Sequence, residues 1–286
     1  MSIKERLKNF NELVVFEHSI FSLPFIFIAM VVAQRGWFGF KLLILGLFAA
    51  ISARNFAMAV NRYLDRDIDA INPRTKNRPS VDGRVSKTEM LIFIAINAAI
   101  FIFVAYLINP LAFKLSIPIL AVLGVYTLFK RFSSLAHIVL GISLGLAPIA
   151  GAVAVLDSIP EWAVYLSIGV TFWVAGFDLL YSLQDMEFDK EHNLHSIPSR
   201  LGAKNTLLLA LLFHTVTVIF WYIFVKSASL HLFGYLAVIF GALMLAYEHY
   251  LVRKDFTKID RAFFTVNGYL GFIFFILIIL DIAIYG

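Results

Sequence analysis

Two acidic clusters with the same internal spacing stand out in the chain: Asn61-x-x-x-Asp65-x-x-x-Asp69 and Asp185-x-x-x-Asp189. Residues four apart stack on one face of a helix. Carboxylates gathered there repel one another unless a cation sits between them. Mg²⁺ suits the role, because it keeps most of its water, takes one or two carboxylates and accepts phosphate oxygens as remaining ligands. Two such clusters facing each other would describe a clamp for a diphosphate. Asp67 falls two positions out of step and is predicted to point into solvent.

The elements that must carry these clusters are apolar helices. Of 286 residues, 60% are hydrophobic and 15% charged, and the mean hydropathy is +0.84. That is too apolar for a soluble domain of this length. Crossing a bilayer takes about 20 residues. Windows near that length fall at about 19–34, 40–61, 90–109, 111–129, 135–156, 162–184, 206–226, 230–251 and 263–285. The predicted fold is all-α: a polytopic membrane protein of about nine spans forming a single domain over 1–286. The first acidic cluster leads into a loop region at 62–88, the second into one at 185–205. The first span is short and contains Pro24.

With nine spans, 19 of the 24 Lys and Arg fall in the N-terminus and alternate loops. The opposite side holds Arg35, Lys41, Lys114 and Lys226, and Arg54 lies inside the second span. The positive-inside rule then places the N-terminus and every motif-bearing loop in the cytoplasm. The sequence pI near 9.3 reflects topology and anionic phosphate binding; nothing points to nucleic acid. The absence of cysteine excludes disulfides, thiolate metal sites and cysteine nucleophiles.

Within residues 1–16, Ile3, Leu7, Phe10 and Val14 recur at helical spacing among Lys4, Glu5, Arg6 and Lys8. That pattern predicts an amphipathic helix lying on the cytoplasmic leaflet, and no cleavable signal is apparent. The two acidic clusters are offset by a constant 120 positions, and the basic pairs Lys130-Arg131 and Arg253-Lys254 lie at nearly the same offset. This predicts an internal duplication, two four-helix halves plus a final helix, with the second and sixth helices lining one central cavity.

Asn61 to Asp69, the segment Arg74-Thr75-Lys76-Asn77-Arg78-Pro79, Tyr126 with Lys130-Arg131, and Phe177-Asp178-x-x-Tyr181-x-x-x-Asp185-x-x-x-Asp189 occur in one order. In that order they resemble the UbiA superfamily of intramembrane aromatic prenyltransferases, over nearly the whole chain. Asn61-Arg62-Tyr63-Leu64-Asp65-Arg66-Asp67-Ile68-Asp69 together with Phe16-Glu17-His18 looks like the branch labelled 4-hydroxybenzoate polyprenyltransferase; some similar proteins serve menaquinone synthesis. The resemblance implies one Mg²⁺ on Asn61, Asp65 and Asp69 and another on Asp185 and Asp189, with a prenyl diphosphate bridging them. It further implies that Lys130 and Arg131 neutralise the leaving group, that Arg78 covers it among the basic residues Arg74, Lys76, Arg78 and Arg84, and that Tyr126 and Tyr181 line the substrate site. The chain departs from the family pattern at Arg62 (an Asp), Thr127 (a Pro) and His195 (a Lys).

Two ionisable residues lie within predicted spans, where charge is expensive and marks function. Arg54 is seven positions before Asn61 and Asp178 seven before Asp185, two turns deeper on the same faces. Arg54 is a candidate for binding phosphate or an aromatic carboxylate, Asp178 for orienting a phenol or accepting its proton; a structural salt bridge is the competing reading. His137, His214 and His249 lack ligand spacing and read as packed or hydrogen-bonded helix residues. The implied reaction ionises an allylic C–O bond and joins the prenyl carbocation to an electron-rich aromatic acid. The alternatives are haem O synthase-like farnesyl transfer, and a transporter of an anionic solute.

Overall fold

The computed structural model describes residues 3–14 and 23–286. The order of helices is α1 (Ile3–Val14), α2 (Leu23–Gln34), α3 (Phe40–Leu64), α4 (Arg66–Ile71), α5 (Lys87–Ile108), α6 (Pro110–Val125), α7 (Ala136–Leu156), α8 (Glu161–Ser182), α9 (Met186–Glu191), α10 (Ile197–Ser227), α11 (Leu232–Lys254) and α12 (Asn267–Tyr285). A 3₁₀ turn, Tyr126–Arg131, continues α6, another, Leu183–Asp185, continues α8, and a π-helical turn, Arg261–Val266, leads into α12. Among the described residues eight helices are long and apolar enough to cross a bilayer, and α2 is a shorter apolar helix of 12 residues. The protein is thus an all-α, multi-pass membrane protein. Residues 19–22 of the first predicted span, with Phe16, Glu17 and His18, lie outside the described residues.

The chain forms two compact units. Among the described residues, the first comprises 3–14 and Ile44–Leu128, the second 23–43 and Phe129–Gly286. This division follows packing rather than the halves expected from the repeat, because α2 belongs with the second unit.

In the first unit, helix ends are written into the sequence. Ser86 and Glu89 form a reciprocal capping box at the start of α5, satisfying two backbone donors. Asn109 ends α5 and, through its side-chain oxygen, accepts from Ala112 N at 2.7 Å to start α6, with Pro110 as the first helical residue. The amphipathic N-terminal helix is present as α1. Its Leu13 packs with Val85 and Met90, Phe10 stacks on Phe93, and Arg84 grips Glu12 at 2.5 Å.

In the second unit, α7 runs between α2 and α8 at close range. A Cβ at Gly141 would stand 2.3 Å from the Thr171 carbonyl oxygen of α8, and one at Gly151 would stand 2.3 Å from the Ile26 carbonyl oxygen of α2. Only glycine permits backbones to approach this far, the device by which membrane helices associate without a hydrophobic driving force between them. Behind them Phe25, Trp173, Trp221 and Phe274 form a buried aromatic centre.

Candidate active site

The first acidic cluster is built where α3 stops. Asn61 lies in its last turn, and Asp65 holds the N-cap of the six-residue α4 with φ −92° and ψ 7°. Asp69 follows on α4. Both carboxylates are buried, at 1% and 4% exposure, while Asp67 is exposed. The Asn61 amide donates to Asp65 Oδ2 at 2.9 Å and to the Thr127 hydroxyl at 2.8 Å. Thr127 in turn donates to Asp65 Oδ2 at 2.7 Å. Arg78 donates to Asp69 Oδ1 at 2.6 Å, which brings the arginine singled out from the loop onto the motif itself. Asp69 Oδ2 is buried and has no hydrogen-bond partner among the described residues.

Arg62, the departure inside the first motif, is buried rather than solvated. It donates to Asn61 Oδ1 at 2.9 Å and to the Leu13 carbonyl at 3.3 Å, so it fixes the Asn61 amide and ties α1 beneath it. It lies within electrostatic reach of Asp69 and Asp65, a cation set beside two buried anions. Arg54 sits deeper on α3 and is within electrostatic reach of Tyr126. Arg84 is spent on structure: it bonds Glu12, Asp82 and the Asn77 carbonyl. These bonds raise its pKa, the Glu12 contact most.

The second cluster repeats the local geometry. Asp185 holds the N-cap of the six-residue α9 with φ −99° and ψ 5°, within a few degrees of Asp65. Both residues lie in the sparsely populated bridge region that active-site residues often occupy. Asp189 follows four residues on; its side chain is hydrogen-bonded to Ser196 and within electrostatic reach of Asp185, Lys130 and His137. The Lys130 carbonyl accepts from the His195 backbone N–H at 3.0 Å. The His195 ring is engaged by Arg200 at 2.6 Å. Deeper on α8, Asp178 Oδ2 lies 2.7 Å from His137 Nδ1, and Ile197 N–H donates to His137 Nε2 at 3.4 Å. Since Nε2 accepts, Nδ1 carries the proton that bonds Asp178. Tyr181 stacks near Phe263 at 4.3 Å between ring centroids. Arg131 is exposed.

The sequence profile of the UbiA prenyltransferase family matches residues 22–279. The chain belongs to the UbiA prenyltransferase family. Its curated relatives include a 4-hydroxybenzoate octaprenyltransferase of Polynucleobacter asymbioticus, 28% identical over 99% of this chain and 100% of the relative. Another, of the same description, from Vesicomyosocius okutanii, is 24% identical over 90% and 93%. Among solved structures, a UbiA homologue from Aeropyrum pernix superposes with a TM-score of 0.84 at 33% identity, covering 93% of this chain and 98% of that one. A UbiA homologue from Archaeoglobus fulgidus, solved bound to GPP and Mg²⁺, shares the fold with a TM-score of 0.75 at 19% identity, over 94% and 99%.

The Archaeoglobus homologue was solved with Mg²⁺ bound, and the residues present here would fit that ion. The open donors are carboxylate oxygens, the chemistry Mg²⁺ prefers, since Asn61 Oδ1 accepts from Arg62, and the buried, unpartnered Asp69 Oδ2 is an acceptor that a cation would satisfy. Among the described residues no three His, Cys, Asp or Glu side chains gather as a metal-holding group. Each cluster offers a pair of carboxylates, which suits an ion that fills its shell with water and phosphate. Three residues of this prenyltransferase escaped the sequence reading: Arg62 as the support of Asn61, Thr127 as a partner of Asp65, and His137 as the partner of Asp178. Each left a signal without its role: Arg62 and Thr127 as departures from the family pattern, His137 as a histidine in an apolar helix.

Proposed function

We propose that this prenyltransferase moves a polyprenyl group from a prenyl diphosphate onto an aromatic acid, 4-hydroxybenzoate or a related hydroxynaphthoate, in ubiquinone or menaquinone synthesis. The observation that carries the reading is the duplicated motif geometry: two acidic residues at matching N-caps, each followed four residues later by a second carboxylate. The names of the relatives supply the acceptor class, and the Archaeoglobus homologue solved with GPP and Mg²⁺ supplies the donor class. We assign both acidic pairs, with Asn61, to the metal–diphosphate end of the donor, and Arg54, Arg78, Tyr126, Lys130, Arg131 and Tyr181 to substrate binding. We assign the motif loops to the cytoplasmic side of a bacterial inner membrane, a reading supported by the charge asymmetry and by the bacterial relatives.

Bound Mg²⁺ supplies positive charge that stabilises the departing diphosphate. Arg78 and Lys130 add fixed cationic charge as the allylic C–O bond breaks and its electron pair leaves with the diphosphate oxygen. The electron-rich ring carbon ortho to the acceptor hydroxyl donates a π pair to the allylic carbon, forming the new C–C bond. The ring carbon then loses its proton to bulk water, restoring aromaticity. Asp178, held by His137 Nδ1–H, orients the phenol or takes its proton. The test is product mass spectrometry with the purified protein, Mg²⁺, prenyl diphosphates of several lengths and competing aromatic acids. Prenylated hydroxybenzoate or hydroxynaphthoate is the expected product. Farnesylated haem, or solute uptake into vesicles without diphosphate release, would overturn the reading.

A further inference from the structure

We infer that Thr127 is a positioning residue for the metal-binding carboxylate of Asp65, fixing its orientation through a hydroxyl that has no counterpart in the acidic motif itself. The inference rests on the metal assignment proposed above for the first cluster.

An Asp at a helix N-cap ordinarily turns its carboxylate onto the free N–H groups of the first turn. Asp65 does not: α4 receives no side-chain cap bond from it. Its Oδ2 is instead drawn to Thr127 at 2.7 Å and Asn61 at 2.9 Å. Thr127 is 3% exposed and lies 62 positions from Asp65 in sequence.

The direction of each bond in this triangle is determined. Arg62 has only donors, and it holds Asn61 Oδ1 at 2.9 Å, so the Asn61 amide must present its N–H₂ to Thr127 and Asp65. The Thr127 oxygen therefore accepts from Asn61, and its single proton is left for Asp65 Oδ2. Several other buried or half-buried hydroxyls on helices here bond back to a carbonyl one turn earlier, Ser116 to Phe113, Thr206 to Gly202 and Thr217 to Phe213, while Ser167 reaches across to a backbone carbonyl, that of Gly145. Bonding back is the ordinary fate of a helical hydroxyl. Thr127 reaches across to the motif instead. Outer partners of metal-binding side chains set ligand orientation, and their loss typically costs about 10–100-fold in metal affinity or activity.

The experiment measures Mn²⁺ binding by electron paramagnetic resonance. It uses the purified full chain in lipid nanodiscs, with an unreactive prenyl thiodiphosphate as donor analogue. Thr127→Val keeps the shape and removes the hydroxyl. It is expected to weaken Mn²⁺ binding by about tenfold or more and to raise the Mg²⁺ concentration for half-maximal prenyl transfer by the same factor. Thr127→Ser restores the hydroxyl and is expected to stay within about threefold of the parent. Melting temperatures of all forms are compared, and Thr127→Ala is read in the same way if the valine variant does not fold. Parent-like Mn²⁺ binding by Thr127→Val overturns the inference, and so does failure of both Val and Ala variants to fold, which would make Thr127 a scaffold residue. Failure of the underlying metal assignment looks different: parent and Asp65→Asn would then bind Mn²⁺ alike, or neither would bind it.

Discussion

Replacing Asp178 by Asn separates acceptor chemistry from donor chemistry. The carboxylate accepts from His137 Nδ1 at 2.7 Å, with side-chain exposures of 22% for Asp178 and 7% for His137. An amide oxygen can accept the same bond, so position is kept and charge is lost. A hydrogen bond to a charged group is worth about 1.5–3 kcal/mol and a neutral one about 0.5–1.5. The local cost is thus on the order of 1 kcal/mol, too little to unfold the site. Loss of a group that takes a proton in the transition state costs roughly 10²–10⁴ in rate. Aromatic prenylation should therefore fall at least about 100-fold, while diphosphate release without acceptor should change by less than about threefold. Both are read on one purified preparation, prenylated product by mass spectrometry and diphosphate by a coupled assay. Equal loss of the two activities would refute the assignment, placing Asp178 at the donor; no loss in either would make the Asp178–His137 pair purely structural.

The metal reading predicts that Asp65→Asn and Asp185→Asn each nearly abolish turnover, that Asp67→Asn is mild, and that chelation by EDTA is reversed by Mg²⁺; near-normal activity in either cluster variant refutes it. Lys130→Ala should raise KM for prenyl diphosphate and lower kcat, since leaving-group charge grows in the transition state; an unchanged KM counts against its role. For topology, Lys76→Cys and Lys190→Cys should resist an impermeant thiol reagent in intact cells while Ser158→Cys reacts, all three positions being exposed; Ser80 would be uninformative because it is fully buried. Asn267 accepts from Trp173 at 2.8 Å and donates to Glu248 at 2.8 Å. Asn267→Ala strands both buried groups and should destabilise the second unit by about 2–6 kcal/mol, at about 1–3 kcal/mol for each. An unchanged melting temperature in detergent would contradict that.

The acidic pairs were legible because four-residue spacing is a local property that survives any tertiary arrangement. Arg78 was singled out through the resemblance, as the arginine before Pro79 in the matching segment; its bond to Asp69, nine residues away, was not read from the sequence. The local character of spacing explains the other failures too. Thr127 and His137 act on partners 62 and 41 positions away, and their identities alone are compatible with ordinary helix packing. The turn from α3 into α4 was hidden as well, since a carboxylate that ends one helix and begins another reads as one continuous pattern. The allegiance of α2 was obscured by the repeat: sequence symmetry groups it with the first half, whereas the glycine face of α7 draws it to the second.

That allegiance has a consequence for biosynthesis. Helix α2 leaves the ribosome well before α7, with residues 35–135 still to be made. At about 5–20 residues per second it waits roughly 5–20 seconds for the helix whose backbone it must touch. During that interval a 12-residue apolar helix is held in or at the bilayer without its permanent neighbour. A ribosome stalled between α3 and α6 would leave it orphaned, so the interval before α7 emerges is when membrane insertion factors have most to protect.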